Sequence, residues 1–215
     1  MVANLIYDHF QTQIDQLIVV CPSFYAPTQR HFRLLDGMIK SRKNVFTNPS
    51  DDIFTKIKRQ LQSQAEYCKR NERAEFRTLI FVDDMGGNKS IHGGRFGAFS
   101  ELAVMCNHSN ISIIAVAHQL TMIAPAFRHN LHCLVMFPST READVKLLCE
   151  EYKPLRWTKK QMRECILAAW EGDGQKIDDD DDVEGDHYFV ILQMPREKTR
   201  FYIDFEWEIR PNAEG

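Results

Sequence analysis

The sequence predicts an α/β domain: a mostly parallel sheet sandwiched between two layers of helices. Three observations carry this. Short, almost wholly apolar, β-rich runs recur along the chain. Amphipathic segments of helical length separate them. Several of those segments open on helix-capping residues. With 215 residues, 44% of them hydrophobic, the chain is long enough for a single domain, 1–215, with a substantial core.

In chain order the predicted strands are LIVVC (Leu17–Cys21), TLIFV (Thr78–Val82), ISIIAVAH (Ile111–His118), CLVMF (Cys133–Phe137) and YFVILQM (Tyr188–Met194). Between the first two, APTQRHFRLLDGMIKS and SDDIFTKIKRQLQSQAEYCKR carry apolar residues at helical spacing. The second opens on Ser50 as cap, with Asp51 and Asp52 where the helix dipole favours acids. FGAFSELAVM reads as a further helix. Ser139 with Glu142 and Thr158 with Gln161 form two expected capping boxes. HYFVILQMP and RFYIDFEW flank PREKT and predict a C-terminal antiparallel hairpin. Residues 171–186, with the run Asp178–Asp182, read as an acidic disordered loop inside the domain.

That acidic run dominates a formal net charge of -3, so the remainder is close to neutral. Any nucleic-acid contact must therefore be local. Six cysteines without a C-x-x-C pair read as reduced, buried thiols, and Cys106 with His108 is a single metal-like pair lacking a second. The N-terminus has no basic segment followed by an apolar one, and no apolar run reaches the roughly 18 residues of a membrane span. These features predict a cytosolic or nuclear protein with no membrane association.

Asp83 and Asp84 stand at the carboxyl end of the run Thr78–Val82, where open α/β sheets bind ligands. One carboxylate there can hold Mg2+ through water, and its neighbour can orient or deprotonate an attacking water. Adjacent acids in a partly dry site are costly without a cation, so the pair implies magnesium. His118 and Gln119 end the next run in the same way. The Gln119 amide suits either a phosphate sensor or a plain turn residue. Arg128 and Asn130 follow on a short apolar turn, where an arginine commonly forms a surface ion pair.

The ordered set LIFVDDM, NISIIAVAHQ and APAFRHNLHCLVMFPS, followed by a capped helix, resembles the genome-packaging ATPases of large DNA viruses, virophages and Polinton-like elements, the poxvirus-type branch of the FtsK/HerA superfamily. LIVVCPSFYAPTQRHFRLL and NPSDDIFTKIKRQL are similar to the segments that follow the phosphate loop there, and the resemblance spans about residues 4–152. It implies a RecA-like P-loop NTPase that binds ATP and Mg2+. Asp83 matches the Walker B acid that holds the metal, Asp84 the catalytic acid and Gln119 the polar sensor. Arg128 matches a candidate arginine finger acting on a neighbouring subunit. The implied partners are double-stranded DNA, copies of the same chain in a ring, and capsid proteins, at the virus assembly site in host cytoplasm or nucleus, with the virion as an alternative location.

No stretch of the chain fits the Walker A pattern G-x-x-x-x-G-K-[ST]. GGNK and HGGRFG come after the paired acids, whereas a phosphate loop should precede them. The family pattern would place the phosphate-loop strand directly before NLIYDHF and between the strands that end at Gln119 and Phe137. Its loss would open backbone edges inside a buried sheet, so a truncated ATPase core, inactive as given, is the expectation. His92 and Arg95, in the glycine-flanked loop, are candidate DNA contacts as well as ordinary surface-turn residues. The basic residues of KIKRQLQSQAEYCKRNER read as a solvated helix face, with DNA contact the alternative. Two other function classes stay open: a catalytically inactive P-loop-like interaction subunit, and a metal-dependent nuclease, which would need further converging acids.

Overall fold

The computed structural model describes residues 2–84, 97–106, 108–154, 156–171, 189–192, 200–203 and 207–209. The acidic run Asp178–Asp182, His92, Arg95 and the PREKT turn all lie outside them. Two compact units divide the chain, Met1–Asn130 and Leu131–Gly215. No helix among the described residues is long and apolar enough to cross a membrane.

In the first unit, α1 (Val2–Phe10) precedes β1 (Gln16–Val20), and a crossover containing α2 (Arg33–Asp36) leads to β2 (Val45–Phe46). Next come α3 (Asp51–Arg70), β3 (Thr78–Val82), α4 (Ala98–Cys106), β4 (Ile111–Ala115) and α5 (Pro125–Arg128). The strands form a parallel four-stranded sheet in the order β2-β1-β3-β4. β1 and β3 are buried at every position, as expected of central strands covered on both faces.

Strand periodicity divides the core. Leu17, Val19, Leu79 and Phe81 meet Ala3 and Ile6 of α1 together with Phe24, Phe32 and Leu35 of the β1–β2 crossover. Phe32 is the keystone of this face, its ring 5.6 Å from Phe24 and 5.8 Å from Phe81. Ile18, Val20, Ile80 and Val82 are left for the opposite face. The chain steps outward from β1 to β2 and then returns to β3, so right-handed crossovers place α3 on that opposite side. There Phe54 of α3 meets Phe99 of α4 at 4.8 Å.

Helix α3 starts as its sequence requires. Ser50 Oγ accepts the Ile53 N–H at 3.4 Å, and Asp51 reaches over to accept the Ala98 N–H at 2.8 Å. The helix expected across residues 26–41 is reduced to a 3-10 turn, Arg30–Phe32, and the single turn α2. Phe32 and Leu35 are the only fully buried apolar positions in that stretch, and the 3-10 turn has no side-chain cap, so little favours a longer helix.

In the second unit, β5 (Cys133–Met136) is followed by α6 (Glu142–Glu151), α7 (Lys159–Glu171), β6 (Phe189–Leu192), β7 (Arg200–Ile203) and β8 (Trp207–Ile209). These strands form a second sheet, β5-β6-β7-β8, that is antiparallel throughout. Within the expected run Tyr188–Met194, Phe189–Leu192 pairs antiparallel on both sides, and within RFYIDFEW the described strands are Arg200–Ile203 and the start of Trp207–Ile209. Thr158 and Gln161 form the expected reciprocal box at the start of α7, with bonds of 2.8 and 3.2 Å. The box expected at α6 is absent: Ser139 Oγ accepts from the Arg141 N–H at 3.2 Å, and Arg141 takes the cap position without a side-chain bond. Cys133 is exposed, unlike the buried Cys21, Cys68 and Cys149.

β4 ends the first sheet and β5 begins the second. Both are less buried than the central strands.

Candidate functional site

The two acids stand where the parallel ladder runs out. The Asp83 N–H still donates to the Val20 carbonyl at 2.9 Å, and the Val116 N–H to the Val82 carbonyl at 2.8 Å, so the backbone stays pinned through Asp83. Asp84 then turns away with φ 52, in the left-handed region. A non-glycine residue costs roughly 1 kcal/mol there, although aspartate tolerates it better than most. The turn takes Asp84 out of the strand's alternation of side chains.

Each acid has its own support. The Cys21 thiol, on the neighbouring strand's exit, donates to Asp83 Oδ2 at 3.6 Å, and its sulfur lies 3.6 Å from Ser23 Oγ. Burial pushes that thiol up to about 11, so it stays protonated and remains a donor. His118 Nε2 lies 3.4 Å from Asp84 Oδ1, with both side chains largely open to solvent. Asp83 also lines a cavity of about 210 Å³ with Val2, Ala3, His31, Phe32 and Val116, so the start of α1 opens onto the same space. A helix amino terminus beside a carboxylate is electrostatically favourable. A larger cavity of about 390 Å³ lies at the opposite, amino-terminal end of the strands, lined by Thr78 and Ile111, away from the acids.

Gln119 follows His118 directly and occupies the cap position of the 3-10 turn Leu120–Met122, but its side chain makes no capping bond. Arg128 is placed differently. It ends α5, is 6% exposed, and its guanidinium donates to the Ile123 carbonyl of its own turn. Phe127 anchors that turn by stacking on Phe99 at 4.5 Å. The structure therefore brings Asp83 and Asp84 together with two residues not singled out as site members from sequence, Cys21 and His118. Gln119 follows His118 in the chain, four residues beyond β4, and Arg128 is enclosed. His118 was legible as the last residue of an apolar run. Cys21 was not, because a cysteine closing a strand looks like any buried thiol.

No group of three or more His, Cys, Asp and Glu side chains able to hold a metal occurs among the described residues. Mg2+ does not require one. It keeps most of its waters and is held by one or two carboxylates together with substrate phosphates. Asp83 has one oxygen engaged by a thiol and the other without a hydrogen bond among the described residues, which fits such a role.

Comparison with known proteins adds two findings. The family model described as Poxvirus A32 protein matches residues 44–173. The fold is similar to that of the genome packaging NTPase B204 from Sulfolobus turreted icosahedral virus 2. In complex with ATP-gammaS the match has a TM-score of 0.55 at 12% identity, and with AMPPCP 0.53 at 11%. In both cases it covers 93% of this chain and 89% of the other. A search of curated proteins finds no match.

Proposed function

The chain belongs to the poxvirus A32 protein family, and on that premise we propose that it is the ATPase core of a viral genome-packaging motor. It couples ATP hydrolysis to the movement of double-stranded DNA into a capsid, working as a ring of identical subunits against capsid proteins at the assembly site in the host cell. The observation that carries this reading is the Asp83–Asp84 pair at the carboxyl end of the buried strand β3, beside His118 and Gln119 at the exit of β4.

Asp83 is the residue that would hold Mg2+ through water, with Cys21 fixing one of its oxygens. Bound Mg2+ supplies positive charge against the phosphates. Asp84 holds and orients the attacking water and takes up its proton as the γ-phosphoryl group departs, while His118 steadies Asp84 from the side. The Gln119 amide, with no cap to serve, reads the terminal phosphate. Arg128 acts across the subunit interface. This requires its guanidinium to leave the Ile123 carbonyl when a neighbouring subunit's nucleotide is present. His92 and Arg95 are the residues assigned to DNA contact.

A catalytically inactive interaction subunit is the second reading, favoured by the enclosure of Arg128 in its own turn. The 215-residue sequence holds no Walker A pattern, so the chain by itself should bind ATP weakly. Weak binding is still visible through the paramagnetic broadening that Mn2+ with AMPPCP causes in amide NMR signals. The motor reading expects broadening at Asp83, Asp84 and Gln119, lost in Asp83→Asn, and none at the Thr78 and Ile111 ends of the strands. Broadening elsewhere, or none at any nucleotide concentration, would overturn it.

A further inference from the structure

We infer that the β1–β2 crossover is a docking surface for the phosphate backbone of duplex DNA. Between Cys21 and Val45 the chain exposes Arg30, Arg33, Lys40, Arg42 and Lys43, against a single acid, Asp36. None of the five cations forms an ion pair among the described residues. Elsewhere in the same unit Lys58 pairs with Glu101, Arg70 with Glu66 and Arg77 with Asp15, and the cations of α3 that form no ion pair among the described residues, Lys56, Arg59 and Lys69, share their helix with Asp51, Asp52 and Glu66. Five like charges on one short segment, none of them in an ion pair among the described residues, repel one another. Their segregation on one segment makes a local positive surface suited to an anionic partner.

The backbone beneath them is firmly held. Phe24, Phe32 and Leu35 of the same crossover are buried in the core, so the cations stand on an anchored scaffold. The segment leaves at the carboxyl end of β1. It runs back through Met38 and Ile39, which pack on the same core face as Ile14 near the amino end of β1, and it returns to pair Val45 with Val19. It therefore spans the length of β1, five residues, or about 17 Å at the usual rise per residue. One strand of B-DNA presents about five phosphates over that distance. The assignment of duplex DNA as the partner rests on the packaging reading; the charge geometry stands apart from it.

Fluorescence anisotropy with a labelled duplex of about 20 base pairs, titrated with the whole chain between about 50 and about 200 mM NaCl, tests the surface. Each phosphate contact contributes about 0.9 to the slope of log K against log salt. The triple variant Lys40→Gln/Arg42→Gln/Lys43→Gln should lose about 2.7 of that slope. An equal charge change on α3, Lys56→Gln/Arg59→Gln/Lys69→Gln, should lose less than about one contact's worth. Unchanged binding by the crossover variant, or an equal loss from the α3 variant, overturns the surface and leaves the packaging reading intact. Absence of duplex binding by the unsubstituted chain, or tighter binding to phosphatidylserine vesicles than to duplex, also overturns it. The Mn2+–AMPPCP experiment then reports independently on the ATPase reading.

Discussion

The Cys21 thiol and the Asp83 carboxylate meet at 3.6 Å across the exits of two neighbouring parallel strands, one residue beyond the paired Val20 and Val82. The contact ties the candidate metal acid to the centre of the sheet. Cys21→Val keeps the volume and removes the donor, whereas Cys21→Ser keeps a donor. A hydrogen bond of this kind contributes about 1 kcal/mol. Mn2+ affinity measured by electron paramagnetic resonance should therefore fall about fivefold in Cys21→Val and be largely restored in Cys21→Ser. Equal affinity in both variants would mean that the thiol does not position Asp83.

The left-handed φ of Asp84 separates its charge from its shape. Asp84→Asn preserves the side chain's tolerance of that conformation, so urea unfolding should change by less than about 0.5 kcal/mol. Asp84→Ala should cost about 1 kcal/mol. In a version of the protein that hydrolyses ATP, Asp84→Asn should lower turnover by orders of magnitude with nucleotide binding retained. Unchanged turnover would make the residue a turn former only.

Arg128 is enclosed, so its removal has a folding cost whatever its role. Arg128→Ala should lower the stability of the isolated chain by about 1–3 kcal/mol, since the Ile123 carbonyl loses a buried donor. A role across subunits adds a separate signature: in a version of the protein that hydrolyses ATP, Arg128→Ala and Asp84→Asn rings should each be inactive, and mixing the two should restore part of the ATPase activity. Mixed rings that form without any recovery would confine Arg128 to its own turn.

At the opposite end of the sheet, Arg77 grips Asp15 through its guanidinium, at 3.2 Å to each carboxylate oxygen, and through its backbone N–H at 2.9 Å. The side-chain bonds from Arg77, followed by the backbone bond, hold the Asp15 carboxyl below its ordinary 3.8. A carboxyl whose folded value is depressed stabilises the fold above the unfolded value and loses that contribution as pH falls through the folded one. Asp15→Asn should therefore be less stable than the unsubstituted chain near neutral pH, and the gap should close in acid below the ordinary carboxylate range. A gap independent of pH would show that shape and not charge matters there.

The central strands and both acids were legible because β1 and β3 are buried on both faces, which leaves near-continuous apolar runs ended by polar residues. The Ser50 cap and the Thr158–Gln161 box were legible for a local reason: their bonds span only three residues. What escaped was tertiary. β2 is a two-residue strand defined only by its pairing with β1. The length of α2 depended on how Phe32 and Leu35 met the core. Ser139 found the nearer Arg141 N–H instead of closing a box. The enclosure of Arg128 followed from Phe127 packing on Phe99, a contact between residues far apart in sequence.

The outer edge of β4 has a consequence for the protein in solution. Ile111–Ala115 reads Ile-Ser-Ile-Ile-Ala, without a charge or a proline, and its one strand partner among the described residues is β3. Proteins normally guard such an edge with lysine, proline or a bulge, because unpaired backbone groups on an apolar strand recruit strands from other molecules. The chain expressed by itself should accordingly self-associate as its concentration rises, gaining β-structure visible in the infrared amide band. Ser112 is exposed on this strand. A lysine in its place would act as a gatekeeper, raising the concentration at which association begins while leaving the buried strands of the sheet untouched.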